Sequence, residues 1–206
     1  LRLPREAWRR HRADRVHRGG FRRRRRGDPR ARLSAGWADR FRAPGDLAAL
    51  VGLDLLEGGI EGLHAIDEAL QRGLFADKQR GLLLYSRGVS YEALGIRDRA
   101  LSDFDAAVAL LPDFPNVYLY RGIIWGEKSE YQRAMQDFLT ASKLNPSDPL
   151  AFNNLGNVYE KLGDIDLAIE NFGRAIRLQS DYAQAYYNRA HAYVLKQDEE
   201  RAIADY

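Results

Sequence analysis

Cysteine is absent from these 206 residues, which removes disulfides and thiolate chemistry together and agrees with either a reducing or an oxidising compartment. Histidine is scarce: His11, His17, His64 and His191 are scattered, none has a partner at i+4, and no metal centre can be drawn from them. Lysine is missing from residues 1–42, and Ser34 is the sole serine before Ser86, which argues against a transit peptide, since such peptides are rich in both arginine and serine. Long apolar runs are missing too. The stretch from Leu47 to Leu56 is interrupted by Gly52 and Asp54, too short to span a bilayer and a poor secretory core. The compartment is left open between the cytoplasm and, if a signal peptide was lost upstream, the periplasm.

Catalytic signatures are equally thin. No serine stands in a Gly-x-Ser-x-Gly elbow, and Gly58, Gly59 and Gly62 lack the following Lys-Ser/Thr, or the strand context, of a phosphate loop. The acid pairs Asp103/Asp105 and Asp164/Asp166 read as charges complementing helix N-termini rather than as metal ligands or acid/base groups. The expectation is therefore a protein that is not an enzyme, with no cofactor and no metal site.

What is present divides sharply by charge. Residues 1–42 hold sixteen arginines, including Arg22 to Arg26, against four acids, a net of +12; from residue 43 onward 16 basic and 25 acidic residues give −9, and the two make the +3 of the whole chain. The segment 1–42 has no helical or alternating period. It reads first as non-native sequence such as a shifted frame through GC-rich DNA, second as a disordered tail, and third as a nucleic-acid binder with Trp8, Phe21, Trp37 and Phe41 to stack on bases.

The rest of the chain repeats. Gly88, Gly122 and Gly156 recur at one fixed interval with Ala190 in the fourth slot, and Ala100, Ala134, Ala168 and Ala202 follow at the same interval. The period, about 34 residues, falls in the range that marks stacked-repeat architectures. Tyr91, Trp125, Tyr159 and Tyr193 form another column, Phe104, Phe138, Phe172 and Tyr206 another, and Pro112 and Pro146 close the first two units. Within one unit, Phe152, Leu155, Gly156 and Tyr159 share one helical stripe, while Ala168, Phe172 and Ala175 share a second. Gly156 and Ala168 are small where two helices approach, Gly163 ends the first helix in a left-handed conformation, Asp148 and Asp164 are cap candidates, and Pro149 suits a first turn. A single hairpin cannot bury both faces, so neighbours must stack.

These columns resemble the tetratricopeptide repeat, as in small bacterial adaptor proteins of that family. The resemblance covers residues 81–206 in units 81–114, 115–148, 149–182 and a cut-short 183–206. A partial repeat within 43–80, at about residues 61–78, precedes them. Ala69 stands further ahead of Gly88 than Ala107 does of Gly122 or Ala141 of Gly156, which implies a connection four residues longer. The implied fold is all-α, a right-handed superhelix of stacked antiparallel hairpins.

The resemblance also implies a concave groove lined by the second, fifth, sixth and ninth residues of each unit. On this sequence those columns give Asn116, Tyr120, Asn153, Asn154, Asn157, Tyr187, Asn188 and His191 as peptide-contacting candidates, with Asn154 and Asn188 as the chief pair. The groove is expected to run from apolar and aromatic in the early units to amide-rich in the later ones. No Lys or Arg occupies these columns, so the clamp for a C-terminal carboxylate found in chaperone-binding members does not carry over. Arg87, Arg121 and Arg189 lie one residue further on and are expected to cover the repeat with their methylene stems. The function implied is a non-enzymatic scaffold or adaptor binding a protein or peptide partner. The alternatives are a nucleic-acid-associated protein using the arginine segment, or the regulatory arm of a larger enzyme or assembly. Self-association through the exposed C-terminal edge is a further expectation.

Overall fold

Small residues recurring once per repeat decide where helices can touch, and the computed structural model, which describes residues 59–73 and 75–206, brings them together. The arginine-rich segment 1–42 and the remainder up to residue 58 lie outside the described residues. Nine helices run through those described: α1 (Gly59–Arg72), α2 (Asp77–Ala93), α3 (Arg97–Leu110), α4 (Pro115–Glu127), α5 (Tyr131–Leu144), α6 (Pro149–Leu162), α7 (Ile165–Leu178), α8 (Ala183–Leu195) and α9 (Glu199–Asp205). No strand occurs among the described residues. From α2 onward they pair as antiparallel hairpins stacked into a right-handed superhelix. Consecutive first helices, α2 with α4, α4 with α6 and α6 with α8, also touch one another, forming the inner layer.

Inside a hairpin the glycine column has a steric purpose. A β-carbon on Gly88 would stand 2.6 Å from Cε1 of Phe104 and one on Gly122 2.8 Å from Cε1 of Phe138; Gly156 meets Phe172 in the same way. Phe104 and Phe172 are fully buried, as are Ala100, Ala134 and Ala168 beneath them. Burying one such phenylalanine contributes about 2–3 kcal/mol.

Hairpin turns repeat a second requirement. Gly95, Ser129, Gly163 and Gln197, one in each repeat, all have positive φ, at 72°, 61°, 90° and 61°. The residue after each donates its N–H back to the carbonyl of the aromatic column, Ile96 to Tyr91, Glu130 to Trp125, Asp164 to Tyr159 and Asp198 to Tyr193, at 2.8–3.0 Å. Such closure satisfies carbonyls that the helix end would leave open. Glycine meets the left-handed requirement in two turns, while Ser129 and Gln197 adopt it against their β-carbons.

Caps follow the sequence in one case and not in another. Asp148 accepts from Leu150 N–H at 2.9 Å ahead of Pro149, but Asp164, expected to cap α7, makes no side-chain cap bond. Asp103 and Asp105 sit in mid-helix, because α3 begins at Arg97 and its first-turn acid is Asp98; a role at the helix dipole is thereby excluded. On α1, Ile66 and Ala69 are buried and the helix packs on α2. On α9, Ile203 is 75% exposed, whereas Leu101 in the same column is 7% exposed.

Candidate functional site

The inner layer carries two polar systems. The first begins one position beyond the sixth column, where Arg87 donates to both oxygens of Asp103 (2.8 and 2.7 Å) and from Nη1 to Asp67 (2.6 Å). Arg121 repeats the arrangement with Asp137 (2.9 and 2.7 Å) and Asp105 (2.8 Å), and Arg189 with Asp205 (2.7 and 2.6 Å). One acid lies on the second helix of the arginine's own hairpin. The other, for Arg87 and Arg121, lies on the preceding second helix, so each fork ties neighbouring hairpins. Asp67 stands four positions further back from Arg87 than Asp105 does from Arg121, the extra residues falling in the longer connection. These guanidiniums clamp carboxylates, a stronger task than covering apolar surface with their stems. Hydrogen bonds to Asp103 and Asp137 hold Arg87 and Arg121 firmly protonated. Burial pushes the Asp137 carboxyl up, and the bonds from Arg121 pull it back.

The second system is the groove, and its two halves differ. At the early end the fifth column is buried: Tyr85 and Leu119 are 6% and 4% exposed, and Ser86 and Val89 are buried beside Tyr85. Tyr85 meets Phe114 edge-on with centroids at 5.1 Å and Tyr120 at 5.8 Å, so Tyr120, half-buried, closes the groove from within. Burial pushes the Tyr85 phenol up to about 12, with Tyr120 adding to the rise and Asn116 opposing it.

At the late end the amides bind one another. Asn188 donates from Nδ2 to Oδ1 of Asn153 and of Asn157, each at 3.0 Å, and accepts from Gln184 at 2.8 Å. Asn153 is 4% exposed, at the base of this network. His191 Nδ1 lies 3.1 Å from Glu160 Oε2 across the same pair of helices, and Tyr187 is 57% exposed. Asn154 differs from all of these: its Nδ2 is buried and has no hydrogen-bond partner. The repeat explains why. Shifting Asn188, Asn153 and Asn157 back by one unit gives Asn154, Leu119 and Ile123, so two apolar side chains stand where Asn188 finds its acceptors.

Chemically, this half-groove offers amide donors and acceptors beside exposed rings, a set suited to peptide backbone. Among the described residues no three His, Cys, Asp or Glu side chains are placed to hold a metal ion, and no helix is long and apolar enough to cross a membrane. The arginine forks were missed from sequence although their signal was there: Arg87, Arg121 and Arg189 share one column, and Asp103, Asp137 and Asp205 another at a constant offset from it.

Comparison with known families places residues 149–182 and 183–206 each in a tetratricopeptide repeat, and residues 126–163 in a further repeat model of the same group. Among solved structures, a crystal structure of MamA superposes with a TM-score of 0.64 at 24% identity, covering 70% of this chain and 82% of that one. A fragment of MamA, 41-end, from Desulfovibrio magneticus RS-1 gives 0.68 at 20% identity, covering 78% and 89%. The RS-1 ArsTM double mutant of MamA gives 0.69 at 20% identity with the same coverage. At these identities the likeness is one of fold.

Proposed function

From the premise that this chain is a tetratricopeptide-repeat protein, we propose that it is a non-enzymatic adaptor which holds an extended segment of a partner protein in the later half of its concave groove. Solenoids of this kind build interaction surfaces. The observation that carries the finer reading is Asn154: a buried amide donor with no partner, on the inner layer, next to a network in which the neighbouring amides are paired. An unmade bond of this sort costs about 1–3 kcal/mol, which a backbone carbonyl of a bound segment would recover. Asn157, Asn188 and His191 extend the same face toward Tyr187. Asn116, Tyr120 and Asn153 serve to close or floor the groove, because they are committed to contacts within the array.

A partner trapped by photo-crosslinking from position 150, an exposed residue of α6, supplies the test. Asn154→Ala is expected to weaken that partner by about tenfold with unchanged helical content, one hydrogen bond being worth roughly 1–1.5 kcal/mol. A partner indifferent to Asn154→Ala, yet lost on changing the outward faces of α5 and α7, would move the binding surface off the groove and end this reading.

A further inference from the structure

Arg87 and Arg121 each hold two carboxylates, one from their own hairpin and one from the second helix before it. That second acid stands 16 residues ahead of Arg121, at Asp105, and 20 ahead of Arg87, at Asp67, across the longer connection. At the shorter spacing Leu155 is matched by Leu139, so the seam between α5 and α6 has lost both members together. Arg189 is matched by Gly173, and there only the acid has gone.

The missing side chain leaves two guanidiniums facing one place. Arg189 uses Nε and Nη2 on Asp205, and its Nη1, the atom that corresponds to the donors toward Asp67 and Asp105, meets no carboxylate among the described residues. A β-carbon on Gly173 would stand 3.5 Å from Arg189 Nη1 and 3.5 Å from Arg177 Nη1, so the two nitrogens are no more than about 7 Å apart across the vacated position. Arg177, exposed on α7, makes no ion pair among the described residues. One carboxylate, accepting at about 2.8 Å on each oxygen, spans such a gap. The place faces solvent inside the array as well: the Asp105 side chain is 59% exposed although three hairpins follow it. The Arg189–Asp205 pair is as covered as the Arg87–Asp103 pair.

We propose that Arg177 and Arg189 form a carboxylate-binding site on the α7–α8 seam, which takes an aspartate or glutamate side chain of a partner protein in place of the missing acid. The chain's own chemistry identifies the ligand, because the same guanidinium nitrogen takes an aspartate at 2.6 Å and 2.8 Å in the two earlier forks. Residues from 43 onward carry a net charge of −9, so an acidic tract is repelled at long range and the pair attracts only close by. The fitting partner therefore presents a single acidic side chain on an otherwise uncharged or basic surface. The site is made by the seam and not by the groove amides, and it stands whether or not the groove reading does.

The test titrates the full chain with a capped alanine hexapeptide carrying one glutamate, with its glutamine counterpart and with inorganic phosphate, and reads the Gly173 amide and the Nε–H resonances of Arg177 and Arg189. The glutamate peptide is expected to move all three, to bind about fivefold tighter than the glutamine peptide, and to weaken as salt rises. Arg177→Gln, at an exposed position, is expected to cost several-fold in that affinity with the melting temperature unchanged. Gly173→Asp supplies the acid from within, and its β-carbon has room, since nothing lies closer than 3.5 Å. It is expected to abolish glutamate-peptide binding and to melt higher than Gly173→Asn, which matches its shape without its charge. Arginine resonances that ignore the glutamate peptide, equal binding of the glutamine peptide, tighter binding of phosphate, or undiminished binding by Gly173→Asp would each overturn the site.

Discussion

Units 81–114 and 115–148 are held to their neighbours by arginine forks, and unit 149–182 is not. Where the others have Arg87, Arg121 and Arg189, it has Leu155, 2% exposed within the core; where they have Asp103, Asp137 and Asp205, it has Asn171, whose amide turns back to the Leu167 carbonyl at 2.8 Å. A third column changes with them: Arg99, Arg133 and Arg201 lie over Tyr91, Trp125 and Tyr193, and the third unit, whose aromatic is Tyr159, has Leu167 in the arginine column. Charge and counter-charge have left together. The same helix–helix seam is therefore built once from ion pairs and once from apolar packing, in keeping with the near equivalence of a satisfied buried pair and a hydrophobic substitute of similar size. What is not equivalent is half a pair.

That asymmetry gives the largest expected effect. Arg121→Leu leaves Asp137, 4% exposed, without its counter-charge, and is expected to lower stability by about 3–5 kcal/mol. Arg121→Leu with Asp137→Asn copies the third unit and is expected to restore at least half of that loss. Urea midpoints read the pair of variants. If the double variant is as unstable as the single, the two seams are not interchangeable.

A second contrast lies in the fifth column, where the first unit has Tyr85 and the third Asn153. Burial raises the Tyr85 phenol to about 12, against an unfolded value near 10. A group whose folded pKa is raised contributes stability that is complete below the unfolded pKa and lost as pH climbs through the folded one. Stability is therefore expected to fall between about pH 10 and 12, by a few kcal/mol at most from this residue. Tyr85→Phe should flatten that part of the profile. An unchanged alkaline profile in Tyr85→Phe would assign the loss to other groups.

Much of this is legible in the sequence. Spacing alone locates the hairpins, because glycine, alanine and phenylalanine columns state where backbones come close, and Gly88 with Phe104 needs no further information. The groove candidates are harder. Column membership names Asn154 and Asn188 alike, yet whether an amide is free depends on what faces it from the previous unit, Leu119 in one case and Asn153 in the other. The forks escape notice when Asp103 is read by its distance from a helix start, because its distance from Arg87 is what matters.

Turns offer a smaller test of the same comparison between units. The left-handed position is Gly in the first and third hairpins but Ser129 and Gln197 in the second and fourth, both at φ 61°. Ser129→Gly and Gln197→Gly are each expected to raise stability by about 1 kcal/mol, and Gly163→Ser to lower it by a similar amount. A Gln197→Gly variant that melts lower than the parent would mean that unfolded-chain entropy outweighs the relief of strain.

The smallest effect separates stability from function. Asn154→Leu places an apolar side chain opposite the column of Leu119 and Ile123 and removes a buried donor that nothing in the array satisfies. Isolated stability is expected to rise, by roughly 0.5–1 kcal/mol, since replacing an unpaired polar group by a hydrophobic one of similar volume recovers part of its desolvation cost. Asn188→Leu should do the opposite, because it strands acceptors on Asn153 and Asn157 that are now filled. The sign of the difference is the informative quantity. A residue whose removal stabilises the free protein while weakening its complex is one retained for binding, and such trade-offs mark functional positions. Were Asn154→Leu to destabilise the free protein as Asn188→Leu does, Asn154 would be a structural member of the seam, and the groove would lose the donor on which its proposed role depends.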